Sequence, residues 1–381
     1  MKMTRKEFLK SMAAASVAVA GTGTAASIVK ACAPPVTSPK HNLALGVTIY
    51  SFGRDLLAGT RDLESCLAEC ADIGAEYVEI LGETHVPGYP DPSDEWVDQW
   101  LGWLDKYNLK PSAYDIFCDT MFYKDRLLTP EELLEFLVTD MKLASRLGFH
   151  IFRQQVAPYP PDDPAESYLS PYVLSSDAMK FLELAIPYAE KYDIKMALEL
   201  HGPTQIPSPW IEGCLELIER TKTKHLGFAP DFSAWTWRPP RGTVEELVEQ
   251  GADREIIEYI ISAYQQKLGP EKTVEEVKKM GGGETEQRFA SHQGLFHSSN
   301  NSPEDIAIIA PYIYHTHAKF YDMQEDLTEY TIKYPEIIQA YIKNGVGGVL
   351  SSEYEGRNPD YSVSTAIRMQ HAMLRNLLGM A

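Results

Sequence analysis

Short apolar runs and longer amphipathic stretches take turns along this chain from residue 44 to its end. The runs at 44–50, 76–81, 110–117, 149–156, 195–200, 226–231, 312–319 and 348–354 are mostly apolar and of strand length. Between and after them, segments at 61–73, 94–107, 130–147, 176–192, 209–222, 303–309, 334–344 and 361–378 carry apolar residues at helical spacing. The 130–147 segment opens on Pro130-Glu131-Glu132 and is followed by Gly148, start and stop signals of a helix. Alternation of this kind predicts a parallel sheet, and eight repeats predict its closure into a (β/α)8 TIM barrel spanning 42–381.

One link breaks the rhythm. Between Asp231 and His315 the chain makes a long excursion, read here as an insertion over 236–300 between strands six and seven. It holds Trp237, Arg238-Pro239-Pro240-Arg241, a charged helical stretch near 243–279, Gly281-Gly282-Gly283, and Phe296-His297-Ser298-Ser299-Asn300. Long excursions in compact domains are usually functional or disordered. Because this one leaves from the end of strand six, it is expected to act as a lid or a contact between subunits, against the plainer reading of a decorative insertion.

The ends of the later runs carry the chemistry. MALELHG stops at Glu199, LGFAPDFS at Asp231, YIYHTHAKF at His315 and His317, and GVLSSEYEG at Glu353. Carboxylate oxygens and imidazole nitrogens suit a divalent cation of the Mn, Mg, Fe, Co or Zn group, and the C-terminal rim of a barrel brings strand ends together. In a strand, residues i and i+2 share a face. Glu199 therefore goes with His201, His315 with His317 and Lys319, and Glu353 with Glu355; spacing alone leaves open which of each set reaches a cation. Any one such residue alone is more often structural, but four at matching places point to a site.

Other strand ends offer Tyr114, Asp115, Arg153 and Gln155. Arg153 could clamp a hydroxyl or carboxylate of a substrate, or form a salt bridge inside the barrel. Trp235 and Trp237 suit stacking against a sugar ring, or core filling. His297 could complete the pocket from the excursion. His150 reads as the start of a buried strand.

The net charge of −19 leaves no basic stripe for phosphates and excludes nucleic acid as a partner. Residues 1–41 form a separate unit. Thr4-Arg5-Lys6-Glu7-Phe8-Leu9-Lys10 before the small apolar run Met12–Val29 resembles a twin-arginine export signal, with Lys6 in place of the second Arg. Val29-Lys30-Ala31-Cys32 resembles a lipoprotein cleavage box, so Cys32 is a candidate lipid anchor and the Pro-rich stretch after it a tether. The expectation is an exported protein, periplasmic or anchored outside the cytoplasmic membrane. Cys66, Cys70, Cys118 and Cys214 lack zinc or redox spacing and read as buried free thiols.

On ALELHGP, FAPDFS, HTHAK and SSEYEG the chain resembles the xylose-isomerase-like barrel superfamily of sugar isomerases, ketose 3-epimerases and dehydratases. The resemblance covers about 44–378 without the excursion. It implies metal ligands Glu199, Asp231, His317 and Glu353, with His315 and Glu355 as reserves. It implies substrate contacts at His201 and Lys319, and proton transfer by Glu199 and Glu353. The cofactor it implies is one divalent cation, Mn2+ first, with Mg2+, Co2+, Fe2+ and Zn2+ as alternatives. Ala234 stands where the epimerases carry a further His, which weighs against a 3-epimerase. The reading is an isomerase, epimerase or lyase that works through an enediolate on a free or 3-keto-glycosidic sugar. A homo-oligomer is compatible with it, and a sugar-binding surface lipoprotein with a dead site is the rival.

Overall fold

The computed structural model describes residues 41–118, 128–156, 176–202, 204–291, 301–358 and 360–380. The segment expected to be an export signal, Cys32 and His297 lie outside the described residues, as do the side chains of Cys118 and Gln155.

Eight parallel strands form one sheet: β1 (Leu43–Thr48), β2 (Tyr77–Leu81), β3 (Lys110–Cys118), β4 (Ile151–Val156), β5 (Lys195–Leu200), β6 (Leu226–Pro230), β7 (Thr316–Phe320) and β8 (Gly348–Tyr354). Their order is β6-β5-β4-β3-β2-β1-β8-β7. Two isolated parallel bridges, Phe228 to Ile313 and Asp231 to His317, join the outer strands into a barrel. The approach at this seam needs Gly227, because a Cβ there would stand 2.3 Å from the Tyr312 carbonyl oxygen. With no side chain in the way, the Tyr314 N–H donates to the Phe228 carbonyl at 3.0 Å.

Around the barrel run α1 (Leu63–Ile73), α2 (Asp94–Tyr107), α3 (Pro130–Arg146), α4 (Ser176–Tyr192), α5 (Pro209–Thr221), then α6 (Arg241–Glu249), α7 (Arg254–Gln265), α8 (Pro270–Lys279) and α9 (Glu284–Ser291) in the excursion, and finally α10 (Tyr334–Lys343) and α11 (Val363–Leu378). Local chemistry starts them where the sequence suggests. Thr129 accepts from the Glu132 N–H while the Glu132 side chain accepts from the Thr129 N–H, a reciprocal cap on α3. Asp62 and Ser65 do the same on α1. Buried faces of the helices pack on the strands in one continuous core that includes Trp100, Phe149, Phe152, Phe228 and Leu350.

Two expectations need correction. Strand seven begins at Thr316 rather than 312, because Ala310–Tyr312 form a 3-10 turn with Pro311 inside it. The charged stretch 243–279 is not one helix but three, interrupted at Gly251 and Gly269, whose φ angles of +96° and +87° no helix accepts. Helices α6–α9 bury an apolar cluster of their own, with Ile256, Ile257, Ile260, Val277 and Phe289.

The root of the excursion grips the loop after β7. Arg241 donates to both carboxylate oxygens of Asp322, at 2.7 and 2.8 Å. Arg238 lies 3.3 Å from the centre of the Tyr330 ring and donates to the Tyr330 carbonyl at 2.6 Å. The buried Glu329 shapes that loop by accepting the backbone N–H groups of Tyr321, Asp322, Thr331 and Ile332.

On the outer side of the barrel, Asp140 of α3 accepts hydrogen bonds from Tyr89 at 2.8 Å and Tyr114 at 2.9 Å. Burial pushes its carboxyl up to about 6, although both phenols favour the anion. The folded protein thus keeps a proton that the unfolded chain, titrating near 4, has released. That stabilisation is complete below pH 4 and is lost as pH rises through 6. Asp140→Asn, which preserves an acceptor for the phenols, should remove this dependence. The difference in unfolding free energy between wild type and variant should change by about 3 kcal/mol at most from pH 4 to pH 7 in urea titrations.

Candidate active site

Strand register assembles the site. Pairing of β7 with β8 sets Lys319 beside Glu353, the seam sets Asp231 beside His317, and pairing of β3 with β4 sets Asp115 beside Arg153. Ligand atoms of Glu199, Asp231, His317 and Glu353 all lie within 4.8 Å of one another. Bonds of about 2.0–2.3 Å on either side of one ion span roughly that distance.

Each of the four is oriented by its surroundings. Asp231 Oδ1 accepts from the Ser233 N–H at 2.7 Å, capping the short turn after β6, which leaves Oδ2 facing inward. Glu199 meets His317 Nδ1 at 2.8 Å through one oxygen and Arg153 Nη1 at 3.4 Å through the other. Glu353 Oε2 lies 3.3 Å from His317 Nδ1 and 3.4 Å from Lys319 Nζ. Lys319 itself is 1% exposed and sits 2.8 Å from Asp231 Oδ2. The reserve residues are not in the cluster: His315 turns to Glu79, and Glu355 lies 3.4 Å from Lys319 Nζ.

Burial works against every charge here; partners outweigh it at Glu199, Glu353 and His317, whereas burial and the neighbouring Glu79 hold the Asp115 carboxyl well above the usual carboxylate range despite Arg153. Arg153 and His317 hold the Glu199 carboxyl well below the usual carboxylate range in spite of its burial. Lys319 and His317 bring Glu353 down to about 2. Glu79 and Glu353 keep the His317 imidazole well above its ordinary value, although burial alone would lower it.

The donor set fits a divalent cation. Glu79, Asp115, Glu199, Asp231 and Glu353 bury five carboxylates against the two fixed cations Arg153 and Lys319. Asp231 Oδ2 and Glu353 Oε2 are buried without a hydrogen bond, despite the nearby ammonium. Three carboxylates and an imidazole are the hard and borderline ligands that Mn2+, Mg2+, Fe2+, Co2+ and Zn2+ accept.

Of the expected substrate contacts, His201 lies at the rim. Its Nδ1 is 2.5 Å from the Gly202 carbonyl, which can only accept, so Nδ1 carries a proton and Nε2 faces Asp231 at 3.9 Å. Arg153 is 5% exposed and spans Asp115 and Glu199, the internal salt bridge rather than an open clamp. Trp235 is packed into the core, edge-on to Phe232 at 6.1 Å between centroids, so the core-filling reading replaces the sugar platform. Trp237 is half-buried under the Lys333 ammonium, and His150 lies at the exposed foot of β4. Cys66, Cys70 and Cys214 are buried free thiols.

Glu79 of β2 is the residue that sequence reasoning missed. It is fully buried and meets both His315 and His317. Its only signal was an acid inside the apolar run YVEIL.

A parallel eight-stranded barrel with acids and imidazoles gathered at its C-terminal strand ends is the build of a TIM-barrel enzyme. The chain belongs to the xylose isomerase-like TIM barrel family, which it matches over residues 67–377. Among curated proteins it is similar to a C-glycoside deglycosidase alpha subunit of Arthrobacter globiformis, at 29% identity over 88% of this chain and 92% of the relative. A 3'-dehydrocarminate deglycosidase alpha subunit of a Microbacterium species is 28% identical over 88% of this chain and 95% of its own. Among solved structures, the IOLI protein with a bound zinc atom superposes with a TM-score of 0.52 at 15% identity, over 88% of this chain and 98% of its own. At that identity the likeness speaks for the fold.

Removing Arg153 tests the electrostatics. Arg153→Leu strands Glu199 as a buried anion and should cost about 3–5 kcal/mol at neutral pH in urea unfolding. The stranded acid then takes up a proton in the folded state, so the deficit should shrink as pH falls. A deficit that stays constant from pH 8 to pH 5 would show that packing, not charge, is what Arg153 supplies.

Proposed function

We propose that this protein is a divalent-cation-dependent enzyme that removes a proton from the carbon beside a sugar ketone. A 3-keto-glycoside is the favoured substrate and loss of its aglycone the favoured outcome. The observation that carries the reading is the convergence of Glu199, Asp231, His317 and Glu353, with ligand atoms within 4.8 Å, beside the buried Lys319.

A bound divalent cation would supply Lewis acidity toward two neighbouring oxygens of a hydroxy-ketone. The chain's own groups do the rest. Glu353, ionised under Lys319 and His317, is placed to accept the proton from C2. The C–H electron pair moves into the C3 ketone as an enediolate. Lys319 brings a fixed positive N–H to the place where that charge grows. His201, at the rim, presents Nε2 toward incoming hydroxyls. As the ketone re-forms, a C1=C2 bond appears and the C1 substituent departs with its electron pair and takes up a proton. Reprotonation of the enediolate instead gives isomerisation or epimerisation.

The names of the relatives favour the elimination branch: two are deglycosidase subunits, one of them for a 3'-dehydro substrate. Their designation as alpha subunits supports assembly with a further chain. The rival reading, a sugar-binding protein with a dead site, fits poorly with four intact and mutually oriented donors.

The test is incubation of Mn2+-loaded protein with 3-keto-glucosides and with free ketoses in D2O, followed by NMR. Aglycone release from the former is expected. Deuterium entering a free ketose with no cleavage of the glucosides would instead favour an isomerase or epimerase. Glu353→Gln should still bind the cation but lose about 10²–10⁴-fold in turnover, since an amide cannot take the proton. An undiminished rate in the loaded variant removes Glu353 as the base.

A further inference from the structure

The Glu79 carboxylate lies between two imidazoles, with Oε1 2.7 Å from His317 Nε2 and Oε2 2.5 Å from His315 Nε2. All three side chains are fully buried. The two rings stand almost perpendicular, at 88°, so that both Nε2 atoms converge on the one carboxylate. These three residues form a second cluster of ligand-type atoms, but the separations are too short for an ion between them. Two bonds of about 2.1 Å meeting at a right angle already put the ligand atoms roughly 3 Å apart. The contacts are hydrogen bonds.

We propose that Glu79 is the positioning residue of the cation site: it dictates which nitrogen of His317 is offered to the ion. The inference rests on the reading of Glu199, Asp231, His317 and Glu353 as cation ligands. An ionised carboxylate can only accept, so both imidazoles must donate through Nε2. In neutral His317 this places the lone pair on Nδ1. That atom lies 2.8 Å from Glu199 Oε1 and 3.3 Å from Glu353 Oε2, inside the cluster of donors. His315 is the second anchor. It is not one of the four converging donors, and it occupies the other oxygen of Glu79, which stops the carboxylate from rotating. The HTH spacing thus has a division of labour: the second His faces the ion, and the first holds the group that aims it.

Glu79→Gln is the discriminating change. The amide has one accepting oxygen and one NH2, so one of the two Nε2 atoms must give up its proton. If that is His317, the proton moves to Nδ1 and blocks the ion. Mn2+ affinity, measured by equilibrium titration with the metal alone, should fall about 10–100-fold, while the metal-free protein melts close to wild type. His315→Gln, which keeps an N–H at the Nε2 position, should bind Mn2+ as wild type does. Independently of any variant, long-range 1H–15N correlations on the Zn2+-loaded wild type should show His317 protonated at Nε2 and metal-bound at Nδ1. Wild-type affinity in Glu79→Gln, or zinc on His317 Nε2, overturns the role of Glu79 and leaves the cation reading standing. A wild type that takes up neither metal overturns the cation reading itself, and this inference with it.

Discussion

Five carboxylates share the interior of a barrel whose walls are apolar, and the rest of that end of the molecule is arranged around their mutual repulsion. Arg153 divides its guanidinium between Asp115 and Glu199, and Lys319 reaches Asp231, Glu353 and Glu355. Glu79 is met by two imidazoles and by the Asp115 carboxyl. Buried charge of this kind is a poor route to stability, because desolvation offsets most of the attraction. The arrangement makes sense as the cost of a preorganised site, where charges already fixed in place need not reorganise when a reaction generates new charge.

Much of this was legible in the sequence because a barrel repeats itself. Each later strand ran from an apolar stretch into a ligand-type residue, and the strand period of two narrowed the choice at Glu199, His317 and Glu353 to one residue or its neighbour but one. The choice between His315 and His317 was beyond periodicity, since both point inward; in the structure His317 joins Glu199, Asp231 and Glu353, while His315 turns to Glu79, more than two hundred residues away in the chain. For the same reason Glu79 itself escaped notice: an isolated acid in an apolar strand has no local partner to betray it. Arg153 and Trp235 were ambiguous because pairing and packing depend on the neighbouring strands, and the structure resolves both inward. The excursion was visible as length, but its division into three helices over 243–279 turned on backbone angles at Gly251 and Gly269 that composition only hints at.

The excursion is built as an appendage with a firm root. Its helices have an apolar centre of their own, while Arg238 and Arg241 fasten its first turn to Tyr330 and Asp322 in the loop after β7. That loop follows Lys319 directly and is itself shaped by Glu329. Contacts at Asp322 and Tyr330 thus give the appendage a short path along the chain to Lys319, beside Asp231.

The seam between β6 and β7 gives that path a thermodynamic meaning. Seven of the eight strand junctions are paired ladders, the β2–β3 one with a register shift between Val78 and Ile80, whereas this one is two isolated bridges made possible by Gly227. Asp231 stands on one side of it and His317 on the other. An ion held by both would act as a clasp, binding the closed barrel and not the parted one, so that closure and ion uptake become a single linked equilibrium. The ion's binding free energy would then add to the joint with the fewest backbone pairings of the eight.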